Sequence, residues 1–103
     1  MQKSVPHYRL TAIQTQMVDV PSMRLTNSAR DCILFELHWQ LADVLAMIKA
    51  LKRSNFYKSM TTNLNYKVWQ DVYHTEWKGV AVYVKFQQQA GAVFYFVISC
   101  KEL

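Results

Sequence analysis

The order of the predicted elements indicates an α+β protein in which helices pack on one face of an antiparallel sheet. Apolar residues recur at helical spacing over the first half of the chain, and from Phe56 onward they recur at every second position. Helices followed by a run of strands are typical of this class, because the helices then cover the apolar face of the sheet. The composition agrees with a folded protein, since 51% of the 103 residues are hydrophobic and only two are Gly. One domain spanning residues 1–103 is therefore expected.

The first predicted helix and the first predicted strand lie near the start of the sequence. Leu10, Ile13 and Met17 recur at helical spacing. The segment Asp19-Val20-Pro21 is expected to end this helix, because proline cannot continue it. The chain then turns, and Met23 to Thr26 is predicted to form a short strand.

Two further helices are predicted between residues 28 and 53. Ser28-Ala29-Arg30-Asp31 fits a capping box with Asp31 in place of the usual Glu, so a second helix is expected from there to about Leu37. A third helix near Gln40 to Arg53 is the clearest element, because one stripe contains five apolar residues. These residues are Leu41, Val44, Leu45, Ile48 and Leu51.

Strands are predicted near residues 56–62, 66–74, 79–87 and 92–101, where the apolar period is two. The last two strands are expected to form a hairpin around Gln88-Gln89-Ala90-Gly91. In the third strand, alternation places Tyr83 and Lys85 on the same face. In the fourth strand, strict alternation predicts that Val97 and Cys100 lie on opposite faces.

Two closely spaced motifs combine aromatic, polar and cationic residues on neighbouring predicted strands. The motifs are Asn55-Phe56-Tyr57-Lys58-Ser59-Met60-Thr61-Thr62 and Val68-Trp69-Gln70-Asp71-Val72-Tyr73. Neighbouring strands can place Lys58 and Gln70 side by side, because alternate residues of a strand share a face. We therefore expect an open sheet face that holds these two residues together with Tyr83 and Lys85.

The charge of the chain indicates a polyanionic partner. Twelve Lys and Arg residues against seven Asp and Glu residues give a formal net charge of +5. The segment between Asp43 and Asp71 contains no acidic residue. Its cations are Lys49, Lys52, Arg53, Lys58 and Lys67. A basic surface of this kind favours nucleic acid as the partner. The alternative is a set of solvated helix lysines, and charge alone does not distinguish the two.

Several classes of protein are not expected from this sequence. Cys32 and Cys100 lack metal-ligand spacing and lie in apolar runs, so we expect two reduced, buried thiols and no metal site or cofactor. The apolar run from Ala90 to Cys100 is about half of the ~20 residues that a membrane helix requires. The first residues also lack the apolar segment of a signal peptide. A cytoplasmic location with no membrane partner is therefore expected.

Lysine, glutamine and tyrosine side chains without a carboxylate pair suit a reaction in which an anionic substrate gains charge. Cleavage of RNA by its own 2′-hydroxyl is such a reaction, because the phosphorane gains negative charge that lysine and glutamine can stabilise. Proton transfer would fall to Tyr83, to a lysine, or to His7 or His74. Tyr57 and Tyr73 can stack on unpaired bases.

The same residues also have structural interpretations. Lys58 fits a solvated charge on an edge strand, and Gln70 fits a side chain that bonds to neighbouring backbone. Tyr73 and Tyr83 are ordinary strand residues by propensity. Composition and periodicity therefore predict a basic α+β domain that binds nucleic acid, and they predict nothing more specific.

At the two motifs, the chain resembles the family of motility quorum-sensing regulator (MqsR) toxins of type II toxin–antitoxin systems. The similarity is strongest in Phe56 to Thr62 and in Trp69 to Tyr73, and it extends to Pro6-His7 and to Lys101-Glu102. The resemblance implies a RelE-like microbial ribonuclease fold and a metal-independent endoribonuclease that cuts single-stranded mRNA without the ribosome. It also implies an MqsA-like antitoxin that binds zinc and DNA, through which the toxin meets operator DNA indirectly.

Carried over residue by residue, the resemblance implies catalytic roles for Lys58, Gln70 and Tyr83. It implies RNA-binding or supporting roles for His7, Tyr57, Met60, Tyr73, Lys85 and Lys101. His74 is a departure, because family members often have Arg directly after the Tyr of the second motif. Arg holds a phosphate bidentately and stays charged, whereas His titrates near neutrality, so we expect any contact of His74 with RNA to depend on pH.

Two other functions stay open on the sequence alone. One is a non-catalytic RNA- or DNA-binding regulator that uses the same basic face, and the other is a domain that mainly holds its antitoxin. Lys58, Gln70 and Tyr83 favour the ribonuclease, because a binding module has no need of all three together.

Overall fold

A six-stranded sheet carries three α-helices on one face in the computed structural model, which describes residues 1–89 and 91–103. The strands are β1 (Gln2–Lys3), β2 (Arg24–Leu25), β3 (Phe56–Thr61), β4 (Trp69–Trp77), β5 (Val80–Gln88) and β6 (Tyr95–Glu102). The helices are α1 (Leu10–Gln16), α2 (Asn27–Asp31) and α3 (Leu41–Ala50), with a π-helical segment at Cys32–Glu36 and a 3₁₀ turn at Arg53–Asn55. The predicted α+β class is confirmed.

The sheet is mixed, whereas the sequence predicted an antiparallel one. Its strand order is β1-β3-β4-β5-β6-β2, and the neighbouring strands are antiparallel except at the β6–β2 edge. There, Arg24 lies opposite Phe96 and Leu25 opposite Val97 in a parallel pair. Strands as short as β1 and β2 carry too weak a period-two signal to predict their pairing partner.

The predicted helices are present, but the capping box at Ser28 is wrong. The cap of α2 is Thr26, whose hydroxyl accepts a hydrogen bond from the Ala29 N–H at 3.2 Å. Thr26 also donates its own N–H to the carbonyl of Val97 at 3.1 Å, so the chain passes directly from β2 into the helix. No helix in the described ranges is long and apolar enough to span a membrane.

The first and third helices each end earlier than predicted. After α1, the Ser22 N–H donates to the Asp19 carboxylate at 2.9 Å, and this bond closes a turn instead of a further helical turn. After α3, Leu51 has an extended backbone, and the Lys52 N–H donates to the side chain of Asn55 at 2.8 Å. Local side-chain hydrogen bonds of this type compete with helix propagation.

The four long predicted strands are present, with shifted ends. β4 begins at Trp69 instead of residue 66, because the Asn65 N–H donates to the Thr62 hydroxyl and the Lys67 N–H donates to the Asn65 side chain, both at 2.9 Å, and these bonds close the preceding turn. Lys78 and Gly79, with φ of 52° and 77°, form a two-residue turn of the type favoured in β-hairpins. The antiparallel pairing of β5 with β6 is confirmed, whereas residue 90 of the predicted hairpin connection lies outside the described residues.

The apolar core lies between the helices and one face of the sheet. The helices contribute fully buried Ile13, Val44 and Ile48, and Met17 adds to them directly after α1. The sheet contributes Tyr73, Val82, Val84, Phe86, Val97 and Cys100. The side chains of Val82, Val84 and Phe86 share one face, as alternation predicted. The residues between them in β5 therefore project from the opposite face.

The prediction that Val97 and Cys100 lie on opposite faces is wrong, because β6 contains a β-bulge. Lys85 lies opposite Ser99 while Phe86 lies opposite Val97, so Ile98 has no partner across the pair. This extra residue changes the alternation between Val97 and Cys100, and both side chains are buried in the core.

Asp71 connects the N-terminal segment to the sheet. Its side chain is fully buried and accepts hydrogen bonds from the His7 N–H at 3.1 Å, the Tyr8 N–H at 2.8 Å and the Ser59 hydroxyl at 2.6 Å. Tyr8 adds a hydrogen bond from its hydroxyl to the Trp69 carbonyl at 2.7 Å. Hydrogen bonds to an ionised acceptor are about twice as strong as neutral ones. Asp71 therefore holds residues 7 and 8 across the ends of β3 and β4.

We predict that Asp71→Asn lowers the free energy of unfolding by about 3 kcal/mol, because an amide replaces a charged acceptor and turns its own N–H groups toward buried donors. Urea unfolding followed by circular dichroism measures the change. Asp31→Asn, at an exposed position, is the matched control and should change stability by less than about 0.5 kcal/mol. A wild-type unfolding curve for Asp71→Asn would contradict the assigned role.

Candidate active site

The sheet face opposite the helices displays polar and cationic side chains from β3 to β6, and we call it the open face. Across three strands, Lys58 lies opposite Val72, which lies opposite Lys85. Adjacent strands are about 4.8 Å apart, so the two lysine backbones lie about 10 Å apart. Their side chains flank Val72, which is fully buried although it belongs to the open face.

Two further rows of residues flank the lysine row. On one side, Met60 lies opposite Gln70, and Gln70 lies opposite Gln87. On the other side, His74 lies opposite Tyr83, and Tyr83 lies opposite Lys101. The structure therefore brings together all four residues expected on the open face, namely Lys58, Gln70, Tyr83 and Lys85.

A β-bulge at Tyr57 adds an aromatic ring to this face. Phe56 lies opposite Tyr73 and Lys58 lies opposite Val72, so Tyr57 is the extra residue. Phe56 packs edge-on against buried Tyr73, whereas the Tyr57 ring stacks on His74 at 4.2 Å between centroids. The bulge thus lets two consecutive residues, Tyr57 and Lys58, project from the same face.

Three rings form a row across the open face. His74 is stacked on Tyr57 with an angle of 17° between the ring planes, and its centroid lies 5.8 Å from that of Tyr83. The Nε2 atom of His74 is buried and has no hydrogen-bond partner among the described residues. The His74 ring, which the sequence analysis named as a candidate for proton transfer and as a departure from the family's Arg, therefore lies at the centre of the open face.

Lysines surround these rings. The Nζ atoms of Lys85 and Lys101 lie 5.6 and 5.2 Å from the centre of the Tyr83 ring, and Nζ of Lys58 lies 5.5 Å from the centre of the Tyr57 ring. In the described ranges no carboxylate forms an ion pair with any of them. The open face is therefore a patch of positive charge that attracts an anion.

Gln70 is oriented by a neighbouring amide. Its Nε2 donates a hydrogen bond of 2.9 Å to Oε1 of Gln87 on the adjacent strand. This bond fixes the plane of the Gln70 amide and leaves its oxygen, and one N–H, for another partner. Gln87 was not among the predicted site residues, and only the pairing register identifies it.

The structure corrects the prediction that Tyr73 stacks on RNA. Its side chain is fully buried and lies edge-on between Phe56 and Phe86 on the core side. Burial and the nearby Asp71 carboxylate raise the pKa of Tyr73 to about 12. Tyr73 is therefore a core residue, and a base cannot reach its ring.

His7 also lies apart from the open face. Its ring stacks on Trp69 at 5.2 Å, and its Nδ1 is 3.0 Å from Nζ of Lys3, which also lies 4.2 Å from the centre of the Trp69 ring. Trp69 shares the core-side face of β4 with Asp71, because the two are separated by one residue. The sheet therefore separates His7 from Lys58 and the other open-face residues.

A concavity of about 710 Å³ lies elsewhere, between α2, the π-helical segment and β6. Its lining includes Lys101 and two acidic residues, Asp31 and Glu36. Two carboxylates would repel a phosphodiester, so the chemistry of this cavity suits RNA less well than that of the open face.

Comparisons with known proteins agree with the motifs on the open face. A family model described as "Motility quorum-sensing regulator, toxin of MqsA" matches residues 5–102. Among curated proteins, the mRNA interferase toxin MqsR of Escherichia coli (strain K12) is 36% identical over 85 residues. The alignment covers 82% of this chain and 85% of that protein.

The surroundings of His7 predict a dependence of stability on pH. Burial lowers the pKa of His7, the nearby Lys3 ammonium lowers it further, and Asp71 partly opposes them. As the pH falls below about 6.5, His7 therefore takes up a proton more readily in the unfolded chain than in the folded protein. Proton binding then favours the unfolded state, so stability that is present at pH 7 is lost. We predict that His7→Gln weakens the fall in urea midpoint between pH 7 and pH 5. His38→Gln, at an exposed position, is the control. An unchanged pH dependence in His7→Gln would contradict the assignment.

Proposed function

The chain belongs to the family of motility quorum-sensing regulator toxins, and we propose that it is a ribosome-independent endoribonuclease that cuts single-stranded mRNA. The observation that carries the proposal is the convergence of Lys58, Gln70 and Tyr83 on one solvent-facing sheet surface. Cutting mRNA stops translation and growth, which is the action expected of a toxin.

The reaction we propose is attack of a 2′-hydroxyl oxygen on the adjacent phosphorus. The 2′-O–P bond forms, the P–O5′ bond breaks, and the products carry a 2′,3′-cyclic phosphate and a 5′-hydroxyl. One proton leaves the 2′-oxygen and one reaches the 5′-oxygen. The nucleophile thus belongs to the RNA, and the protein supplies orientation, charge and proton transfer.

In the proposed reaction, Lys58 and Lys85 stabilise the phosphorane from two sides. Their backbones are about 10 Å apart across the β3–β4–β5 row, a separation that side chains of this length can bridge around one phosphate. Fixed cations aimed at developing charge typically contribute 10²–10³-fold per donor. Gln70, oriented by Gln87, can hold a phosphate oxygen or a hydroxyl through its free N–H or its oxygen.

Proton transfer falls to the ring row of the open face. The phenol of Tyr83 lies among lysines, and the imidazole of His74 lies beside it. A phenol can donate a proton, and an imidazole can accept or donate one near neutral pH. Lys101 and Tyr57 extend the surface on either side, for phosphate binding and base stacking respectively.

We propose that no metal ion takes part, because the described residues contain no group of three or more His, Cys, Asp or Glu side chains that could hold one, and His74 alone cannot supply a metal site. We further assign the α+β sheet to the RelE-like microbial ribonuclease fold. An MqsA-like antitoxin that binds zinc and DNA is the proposed partner, and it would bring the toxin to operator DNA. Since mRNA is the substrate, we place the protein in the cytoplasm.

We predict that Lys58→Ala lowers the rate of RNA cleavage by about 10²-fold or more while the fold is retained, because one fixed cation at the phosphorane is lost. Cleavage of a ribosome-free synthetic mRNA, mapped by primer extension, measures the rate, and circular dichroism checks the fold. Lys52→Ala, an exposed lysine that precedes the 3₁₀ turn, should cleave like wild type. Full activity in folded Lys58→Ala would remove Lys58 from the mechanism. Lost RNA binding with the lost cleavage would favour a binding role instead.

We also predict that a single 2′-deoxy sugar at the mapped cleavage position abolishes cutting there, because the nucleophile is missing. EDTA should leave the rate unchanged, and the products should end in 2′,3′-cyclic phosphate and 5′-hydroxyl groups. Mass spectrometry of the products identifies these ends. Continued cutting of the deoxy-substituted RNA would show that water, and not the 2′-hydroxyl, is the nucleophile.

A further inference from the structure

A groove lies beside Lys58 at the edge of the open face. Gln2, Lys3 and Ser4 form one wall, and Tyr57 and Lys58 form the other. Its volume of about 470 Å³ falls in the range of roughly 300–1,000 Å³ that is typical of small-molecule sites. None of the five lining residues is acidic, so nothing in the lining repels a phosphate.

The N-terminal wall is held in place by the sheet. Gln2 lies opposite Met60 and Lys3 opposite Ser59 in the β1–β3 pair. The backbone N–H groups of His7 and Tyr8 donate to Asp71, so residues 1–8 are fixed at both ends. The groove is therefore a formed part of the fold, and the chain need not rearrange to make it.

The groove contains the groups that recognise a nucleotide. One face of the Tyr57 ring stacks on His74, and the side chain is 55% exposed, so a base can stack on its other face. Lys58 provides a cation for a phosphate. The exposed side chains of Gln2 and Ser4 provide an amide and a hydroxyl for the polar edge of a base or a ribose. Nζ of Lys3 is hydrogen-bonded to Nδ1 of His7, so the Lys3 side chain lines the groove and is not assigned to phosphate binding.

We propose that this groove is a nucleotide subsite, which binds the unpaired nucleotide adjacent to the cleaved phosphodiester. The proposal rests on the proposed function, because it uses Lys58 as the point where the subsite meets the cleavage site. Gln2 and Ser4 then contribute to affinity for the RNA flanking the cut, with no part in the chemical step.

The test uses short RNAs centred on a mapped cleavage position and extended by one nucleotide on the 5′ side or on the 3′ side. Wild type should show a KM at least fivefold lower for one extended RNA than for the core RNA. The double variant Gln2→Ala/Ser4→Ala should lose most of this gain, with kcat and the KM for the core RNA unchanged. Thr11→Ala, exposed on α1, is the matched control and should behave as wild type.

An abasic nucleotide in the extension separates stacking from phosphate contacts. The abasic extension should produce only a small part of the decrease in KM, because it offers Tyr57 no base to stack on. Equal KM values of wild type and the double variant on every RNA would overturn the proposal, and so would a full gain from the abasic extension.

Binding measured by fluorescence anisotropy, on the same RNAs with a 2′-deoxy sugar at the cleavage position, separates the two proposals. If wild type cleaves no RNA, the same binding measurement is made on arbitrary single-stranded RNAs of these lengths. Extension-dependent binding that Gln2→Ala/Ser4→Ala removes would then reject the proposed function and keep the groove as a nucleotide site. Cleavage of the core RNA, with no effect of the extension on binding or KM, would reject the nucleotide subsite and leave the proposed function standing.

Discussion

The buried carboxylate of Asp71 is the interaction on which the rest of this structure depends. It joins three segments that are distant in sequence, because its donors are the backbone of His7 and Tyr8 and the hydroxyl of Ser59. A buried carboxylate is costly unless it is fully hydrogen-bonded, and these donors meet that requirement. Gln70 precedes Asp71 in β4 and points to the open face, because neighbouring residues of a strand lie on opposite faces. The hydrogen bonds of Asp71 on the core side therefore also help to position the Gln70 side chain.

The open face carries an excess of positive charge. Lys58, Lys85 and Lys101 lie around the aromatic row without an ion-pair partner in the described part of the chain. Such a cluster destabilises the folded state through mutual repulsion, which the buried core must offset. A bound polyanion relieves this repulsion. Glu76 shares the face by alternation, but it lies two residues beyond His74 at the exposed end of β4.

Alternation and helical spacing predicted the fold class, the three helices and the four long strands, and the family resemblance selected Lys58, Gln70 and Tyr83. The features that the sequence did not predict depend on the pairing register of the strands. The bulge at Tyr57 is set by packing on both sides of the sheet, and no local signal in the sequence marks it. The inward orientation of Tyr73 could not be separated from stacking on RNA, because tyrosine favours both environments.

The pairing of β2 with β6 determines when the newly made chain can fold. Residues 10–50 contain the helices, yet the core cluster that includes Ile13 and Met17 also includes Val97 and Cys100 of β6. During synthesis the helices therefore emerge before the strands that cover their apolar faces, and the core stays incomplete until residues 95–102 have been made. A nascent chain cannot complete this fold before β6 is made, since β2 pairs with β6 across about 70 residues of sequence. The protein can therefore complete its fold only after residues 95–102 have left the ribosome.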